Sequence, residues 1–340
     1  MTETSAFERA DCPKCGSASS HVELTGKDYL HHIPGEYCVS ECDQCGLWFQ
    51  NPRPTTESLA GLYPNDYLPH TDSVPHEAMA ARRRGSISYL QRSLGYGHLQ
   101  NTSANHHFDW RSLRFFDPYR RWTNGVALLP QFVPDGQLLE VGCGSGGRLL
   151  TLRDHGWSHL HGIELVSSAA ERARSLGFSI ECGLTESLLR SYPDEYFDVI
   201  VSSMVLEHLQ NPFDVVGQIA AKLKPDGQFL FSTISRDSLD AKLFGNYWAG
   251  FDFPRHLVYL REKDIRDLLS DRFERIEFFY QSAPIDFLRS SSWRQADGKG
   301  RVLDAIILKV GSSLPAATLS LFLAWLRLTC RVSIRCRRMW

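Results

Sequence analysis

The segment that most restricts the fold is QLLEVGCGSGGRLLTLRDHG, residues 137–156. QLLEV reads as a short apolar strand, the glycines turn the chain, and RLLTLRDHG reads as a helix that stops at Gly156. Gly142, Gly144 and Gly146 carry no β-carbon, so a cofactor can lie against the backbone at the helix N-terminus. A second strand, HLHGIEL, brings Glu164 into play 22 residues after Gly142, where a carboxylate can accept hydrogen bonds from ribose hydroxyls. A strand–glycine turn–helix–strand unit of this kind belongs to an open α/β sheet.

Gly142, Gly144 and Gly147 also satisfy G-x-G-x-x-G, which brings NAD into consideration. Two features argue against it. Glu140 lies inside the first strand, where a dinucleotide site is usually apolar and where a carboxylate can instead meet a cationic cofactor. The downstream order also differs: FDVIVSSMVLEHLQNPFDVVGQIAAKLKPDGQFLFSTIS gives strand, loop, helix, a Pro-Asp-Gly turn and another strand.

Residues 136–280 resemble the class I S-adenosylmethionine-dependent methyltransferases through LLEVGCGSG, GIEL, FDVIVSSMVLEHL and LKPDGQFLFS, in that order. The flanking CPKCG…CDQCGLWFQNPRP…LYP and YWAGFDFPRHLVYL look like a bacterial subgroup of that family with an N-terminal zinc-binding segment. The resemblance implies an α/β fold: a Rossmann-like seven-stranded sheet with helices on both faces and an antiparallel last strand. It also implies that Gly142, Gly144 and Gly146 contact the methionine portion of S-adenosylmethionine and Glu164 the ribose. Leu184 would lie against adenine, with Thr185 and Glu186 beside it, and Ser202 to Leu206, Met204 included, would line the methionine side. Glu140 could equally be a solvent-bridged strand carboxylate, and Glu164 a helix-cap acid. The Asn-Pro-Pro-Tyr type of motif that amino-methylating nucleic-acid enzymes place after the fourth strand is replaced here by SSMVL.

CPKCG at 12–16 and CDQCG at 42–46 are one element written twice. Cys12, Cys15, Cys42 and Cys45 offer four thiolates, a tetrahedral set that favours structural Zn2+ with no open position. Unmetallated thiols or a redox pair are the alternatives. HVELTGKDYL and EYCVSEC between the pairs predict a hairpin, with Cys38, His31 and His32 as surface or strand residues. A short helix is expected over 57–62, after Pro52 and Pro54.

The chain of 340 residues divides into a zinc-ribbon module and connector over 1–65, a helical cap or linker over 66–130, and the cofactor-binding domain over 131–340. Helices are expected over 77–94 and 112–129, joined by a loop whose His98, His106 and His107 lack ligand-spaced partners. The net charge of −2 gives no global reason to expect nucleic-acid binding. The N-terminus has neither a basic start nor an apolar run, so a cytoplasmic protein is expected.

Two histidines follow strand ends, where open α/β sheets place ligands: His208 in LEHL and His256 in FPRHL. Each is a candidate general base, and each could instead be a satisfied core residue. Trp248, Phe251 and Phe253 are expected to wall an acceptor pocket. Asp252 and Arg255 could orient a polar substrate or pair with each other, and Glu207 could pair with Arg255 or face solvent.

Residues 272–281 and 331–336 are expected to be the sixth and seventh strands, the last an edge strand blunted by arginines. Between them an apolar helical insertion is expected over about 300–329. Val310 to Leu326 is a 17-residue run without a charge, interrupted by Pro315. It could pack on the sheet, form a homodimer interface, or dip into one leaflet. In the last case residues 302–338 would touch the inner face of a membrane, with Arg327, Arg331, Arg335, Arg337 and Arg338 on anionic headgroups.

The expected activity is S-adenosylmethionine-dependent methylation of a small molecule, on a hydroxyl of a sugar, glycan or secondary metabolite. Methylation of a quinone-ring hydroxyl is a second reading. A third, from another class, is a non-catalytic adaptor that retains the fold as scaffold.

Overall fold

The computed structural model describes residues 6–64, 67, 90–91, 93–99, 128–281, 283–310 and 329–339. The N-terminal part holds β1 (Phe7–Glu8), β2 (Ser20–Gly26), β3 (Tyr37–Cys42), β4 (Trp48–Gln50) and β5 (Arg53–Pro54). The remainder alternates: β6 (Gln137–Val141), α1 (Gly147–Asp154), β7 (His159–Glu164), α2 (Ser167–Ser175), β8 (Ser179–Cys182), α3 (Thr185–Ser191), β9 (Phe197–Ser203), α4 (Pro212–Lys222) and β10 (Leu223–Ile234). Then come α5 (Leu239–Phe244), β11 (Val258–Tyr259), α6 (Glu262–Leu269), β12 (Phe273–Tyr280), α7 (Pro284–Ala296), α8 (Val302–Val310) and β13 (Arg331–Arg338).

Seven strands form the main sheet in the order β12-β13-β10-β9-β6-β7-β8. The strands β8, β7, β6, β9 and β10 are parallel, and β13 runs antiparallel to both of its neighbours. Alternate residues feed opposite faces: Leu139, Ile200 and Phe231 enter one core, Leu138, Val201 and Leu230 the other. Both faces being covered explains why these strands read as continuous apolar runs. The chain winds outward from β6 to β8 and then returns to β9 on the other side of β6. That reversal opens a crevice at the carboxyl ends of β6 and β9.

One expectation about the sheet is corrected. β13 is not an edge strand: it lies between β10 and β12, and β12 takes the edge. The arginines of β13 hold the fold. Arg331 Nε and Nη2 donate to Asp286 at 2.8 Å each, Arg335 Nη2 to the Leu129 carbonyl at 2.8 Å, and Arg337 Nη1 to the Asp226 carbonyl at 2.7 Å. Arg338 pairs with Glu195 at 3.2 Å. All four thus have partners within the protein. Among the described residues no helix is long and apolar enough to cross a membrane. Arg327, Pro315 and the second apolar helix lie outside the described residues, as do most of the helices expected over 77–94 and 112–129, with His106 and His107. His98 is described, and its Nε2 meets the carbonyl of His155 at 2.9 Å.

The predicted hairpin is present as β2 and β3. The small sheet it belongs to has the order β11-β4-β3-β2, so residues 258–259 complete a sheet begun by the N-terminal module. Beside this seam the guanidinium of Arg255 is 1% exposed. It grips Asp28 through Nη1 and Nη2 at 3.0 Å each, and its Nη2 donates to Asp252 Oδ1 at 2.7 Å and to the Phe253 carbonyl at 2.9 Å. Asp28 also accepts the backbone N–H groups of Leu30 and His31 at 3.0 Å each, which shapes the turn after β2. Phe253 packs on Gly26, where an added Cβ would stand 2.4 Å from the ring.

The aromatic stretch expected to wall a pocket is instead core. Trp248, Phe251 and Phe253 are buried with Tyr37, Val39 and Tyr259, and Trp248 Nε1 donates to Asp240 at 3.0 Å. Arg255 likewise is buried against Asp28 and Asp252 and lines neither chamber. Asp252 does pair with it, one of the two alternatives the sequence left open. Glu207 takes neither of its expected roles: it is fully buried and accepts from Thr233 Oγ1 at 2.8 Å.

Removing one partner of such a buried pair leaves uncompensated charge. Arg255→Met strands the two carboxylates and is expected to destabilise the protein by about 3–5 kcal/mol. Denaturant unfolding checks this, and a loss below about 1 kcal/mol, the scale of an exposed pair, would sink the idea that this clasp holds the two parts together.

Candidate active site

At the switch point between β6 and β9 the structure opens a cleft with a cavity volume of about 150 Å³. The glycine loop forms its floor. Gly142 N–H donates to the Ile163 carbonyl at 2.8 Å, which ties the loop to the end of β7. Gly142 has φ +71°, and a Cβ there would stand 2.4 Å from Val205. Only glycine fits this close approach of the two strand ends. Glu164, at the end of β7, is 5% exposed. Its Oε2 accepts from Gly144 N–H at 2.9 Å and its Oε1 from Val166 N–H at 2.8 Å. Burial raises its pKa, and the N–H donors partly offset that.

The predicted cofactor residues divide in two. Gly142, Gly144, Glu164, Leu184 and Met204 line the cleft, with Thr185 and Glu186 beside Leu184. Gly146, Ser202 and Glu140 do not. Gly146 caps α1, and a Cβ there would meet Ala173 at 3.2 Å, so it serves helix packing. Ser202 is fully buried within β9; its neighbour Ser203 reaches the cleft instead. A strand shows alternate residues to opposite faces, so a one-residue error in placing the strand end swaps them. Leu206 is buried as well.

Glu140 accepts from Arg148 Nε at 2.9 Å through Oε1, while Oε2 is buried without a hydrogen-bond partner. Burial outweighs the arginine and pushes its pKa up to about 7.

A second chamber adjoins the first. Its walls include Leu30, Ile234 and Trp293, with Asp252, His256 and Arg289 as polar groups. Tyr67, Met204 and His208 border both chambers. His208 and His256 stand edge to face, ring centroids 4.5 Å apart. His208 Nδ1 lies 3.1 Å from the Arg255 carbonyl and 3.0 Å from Tyr63 Oη. The tautomer that satisfies the Arg255 carbonyl has the proton on Nδ1 and the lone pair on Nε2. Desolvation in the cavity wall, reinforced by His256, lowers the His208 pKa to about 3. His256 Nδ1 meets the Gly250 carbonyl at 2.8 Å, and its Nε2 stands 3.8 Å from Asp252 Oδ2, beyond hydrogen-bond reach.

Sequence reasoning missed several of these residues. Tyr63 and Tyr67 come from LYPNDY, a stretch to which no role was assigned. Arg289 and Trp293 come from α7, which carried no motif. Glu207 joins His208 and His256 with ligand-type atoms all within 4.8 Å of one another. The sequence signal for that grouping was LEH alone.

In the N-terminal module the four predicted cysteines converge. Cys12 Sγ lies 3.6 Å from Cys45 Sγ, and Cys15 Sγ lies 3.5 Å from Cys42 Sγ. Gly16 and Gly46, at φ +74° and +70°, turn the two knuckles.

Residues 111–272 match the family model described as a methyltransferase domain. Phosphoethanolamine N-methyltransferase 1 of Arabidopsis thaliana is 33% identical over 175 residues, 47% of this chain and 35% of that protein. Ubiquinone biosynthesis O-methyltransferase of Neisseria meningitidis serogroup A is 31% identical over 108 residues, 30% of this chain and 45% of the relative. The chain thus spans less than half the length of these curated relatives. A SAM-dependent methyltransferase structure from Archaeoglobus fulgidus, 16% identical, aligns over 67% of this chain and 95% of its own at a TM-score of 0.43. The strand order with one antiparallel strand, together with the matched domain, makes this the class I methyltransferase fold.

Glu140 gives a pH test. Its carboxyl titrates near 4.5 when unfolded and at about 7 when folded. Between these values the folded protein holds a proton that the unfolded chain has released. The stabilisation is therefore complete below pH 4.5 and lost as pH rises through 7. Glu140→Gln should remove this slope. Relative to wild type, the variant is expected to gain on the order of 3 kcal/mol between acid and mildly alkaline pH. Unfolding curves at several pH values check it; parallel stability profiles would mean that Glu140 stays ionised in the folded protein.

Proposed function

We propose that this chain transfers the methyl group of S-adenosylmethionine to a small-molecule acceptor, with the cofactor in the first chamber and the acceptor in the second. The observation that carries this reading is the common wall of Tyr67, Met204 and His208. Methyl transfer needs donor and acceptor in line and close, and two chambers meeting at one wall provide that arrangement.

The residues of the first chamber fit the cofactor. Gly142 and Gly144 leave bare backbone, Leu165 and Leu184 offer apolar surface for adenine, and Glu164 can accept from ribose hydroxyls. Glu140 lies behind the loop with one buried oxygen lacking a partner, and its raised pKa leaves it fully charged only above about pH 7. S-adenosylmethionine, when bound, supplies an activated methyl group, so the protein has mainly to align the reactants and exclude water.

His208 is assigned as the proton acceptor. Its Nε2 carries the lone pair, and its depressed pKa keeps the ring neutral at ordinary pH. A weak base suffices, because a hydroxyl proton becomes strongly acidic as the new bond forms. This base supports a hydroxyl acceptor on a sugar, glycan or other metabolite; a neutral amine would need none. A quinone-ring hydroxyl is the second reading, favoured by the aromatic edge of Tyr67 and Trp293. His256 borders only the second chamber, and Asp252 lies beside it there.

These roles predict a split. His256→Ala should leave cofactor affinity unchanged and lower turnover. His208→Ala should lower turnover most, with the wild-type rate showing no acid limb near pH 6.5. Calorimetry with S-adenosylmethionine and pH–rate profiles with isotopically labelled methyl donor against metabolite extracts test this. No cofactor binding by wild type, with Gly144→Asp behaving identically, would favour a non-catalytic adaptor. Turnover lost in His256→Ala but kept in His208→Ala would move the base to His256.

The four sulfurs are proposed to hold structural zinc. Zn–S bonds of about 2.3 Å in a tetrahedron place sulfurs about 3.8 Å apart, close to the 3.5 and 3.6 Å seen here. All four positions would be filled, which leaves the metal a folding role. Metal analysis should find one zinc per chain, and Cys42→Ser should lose it together with several degrees of melting temperature. A metal-free protein of unchanged stability would overturn the zinc assignment.

A further inference from the structure

Among the charged side chains around the second chamber, two sets are already compensated. Arg331 is held by Asp286, at 2.8 Å from each carboxylate oxygen. Asp252 is held by Arg255, which is also bound to Asp28. Arg289 differs. It lines the chamber, is half-buried, and has no ion pair or hydrogen bond among the described residues. Ile285, Arg289 and Trp293 recur every four residues on α7, so one helix face presents apolar, cationic and aromatic groups to the chamber in turn.

An arginine on a concave wall without a carboxylate partner keeps its full donor capacity. Its planar fork matches the paired oxygens of a carboxylate or phosphoryl group. A solvated surface arginine would instead stand on a convex face, and Arg289 shares its wall with Trp293, Leu30 and Ile234.

We propose that Arg289 is the anion-binding residue of the second chamber, and that the acceptor carries a carboxylate or phosphoryl group beside an apolar portion. This rests on the reading that the second chamber holds the acceptor. Asp252 and Asp286 do not oppose it, because each is neutralised by its own arginine. The apolar portion would lie against Trp293 and Ile234, with the anion fixing the end far from the methyl donor.

The test uses inorganic phosphate and acetate as probes, titrated into the full chain at constant ionic strength with chloride as the control. Each titration is run with and without S-adenosylhomocysteine. Wild type is expected to bind at least one probe in preference to chloride. Arg289→Gln should weaken that binding about tenfold, the loss of one charge-assisted contact. Arg289→Lys should recover part of it, and S-adenosylhomocysteine affinity should stay the same in all three proteins. Tighter phosphate assigns a phosphoryl acceptor, and tighter acetate a carboxylate. Equal anion affinity in wild type and Arg289→Gln, or no preference over chloride in wild type, overturns the proposal. If S-adenosylhomocysteine fails to bind while the Arg289 effect persists, the methyltransferase reading falls and the anion site stands. Melting curves of both variants establish that they are folded.

Discussion

The arrangement depends on one buried guanidinium. Arg255 joins Asp28 of the N-terminal module to Asp252 of the stretch that follows α5. A charge in that position is tolerated only when its donors are satisfied, and here carboxylates and a carbonyl take them. That requirement fixes the turn after β2, the loop carrying His256, and through the Arg255 carbonyl the orientation of His208. The cysteine module is thus part of the scaffold of the second chamber. Further contacts repeat the connection: Lys14 reaches Asp264 at 2.7 Å, and Arg236 stacks over Trp48.

The two chambers differ in origin. The first is made mainly by loops at the ends of β6, β7, β8 and β9, with Leu59, Tyr63 and Tyr67 closing one side. Any chain with this topology opens a crevice there. The second is assembled from distant parts: the turn near Leu30, the loop at 249–256, the face of α7 and the start of β13. The two chambers meet at Tyr67, Met204 and His208. Fold and function separate in this way because the sheet can be reused while the added segments are rebuilt.

Much of this was legible in the sequence. The glycine loop, Glu164, Leu184 and the four cysteines are local signals whose chemistry depends on spacing within a few residues. Their positions follow from strand and turn geometry. The errors were of another kind. Trp248 and Arg255 look like pocket residues in a linear reading, because aromatic and charged groups in one short stretch suggest a surface. Their burial comes from β11 pairing with β4 and from Asp28, more than 200 positions away in the chain. β13 was expected at an edge because its arginines look like edge protection, yet each finds a partner from another element. Ser202 failed by a single position on an otherwise correct strand, and Gly146 serves helix packing instead.

The stretch 246–260 shows where the division falls. By itself the sequence determined that an open α/β sheet would carry a glycine loop, an acid at the next strand end and a four-sulfur knuckle. Periodicity, glycine conformation and ligand spacing are local properties that a linear reading can use. Only the tertiary structure decided that Trp248 and Arg255 belong to the core, that His208 and His256 stand edge to face, and that Arg289 faces the second chamber without an ion pair among the described residues. Burial and charge compensation are sums over neighbours brought from everywhere in the chain, and no local window contains them.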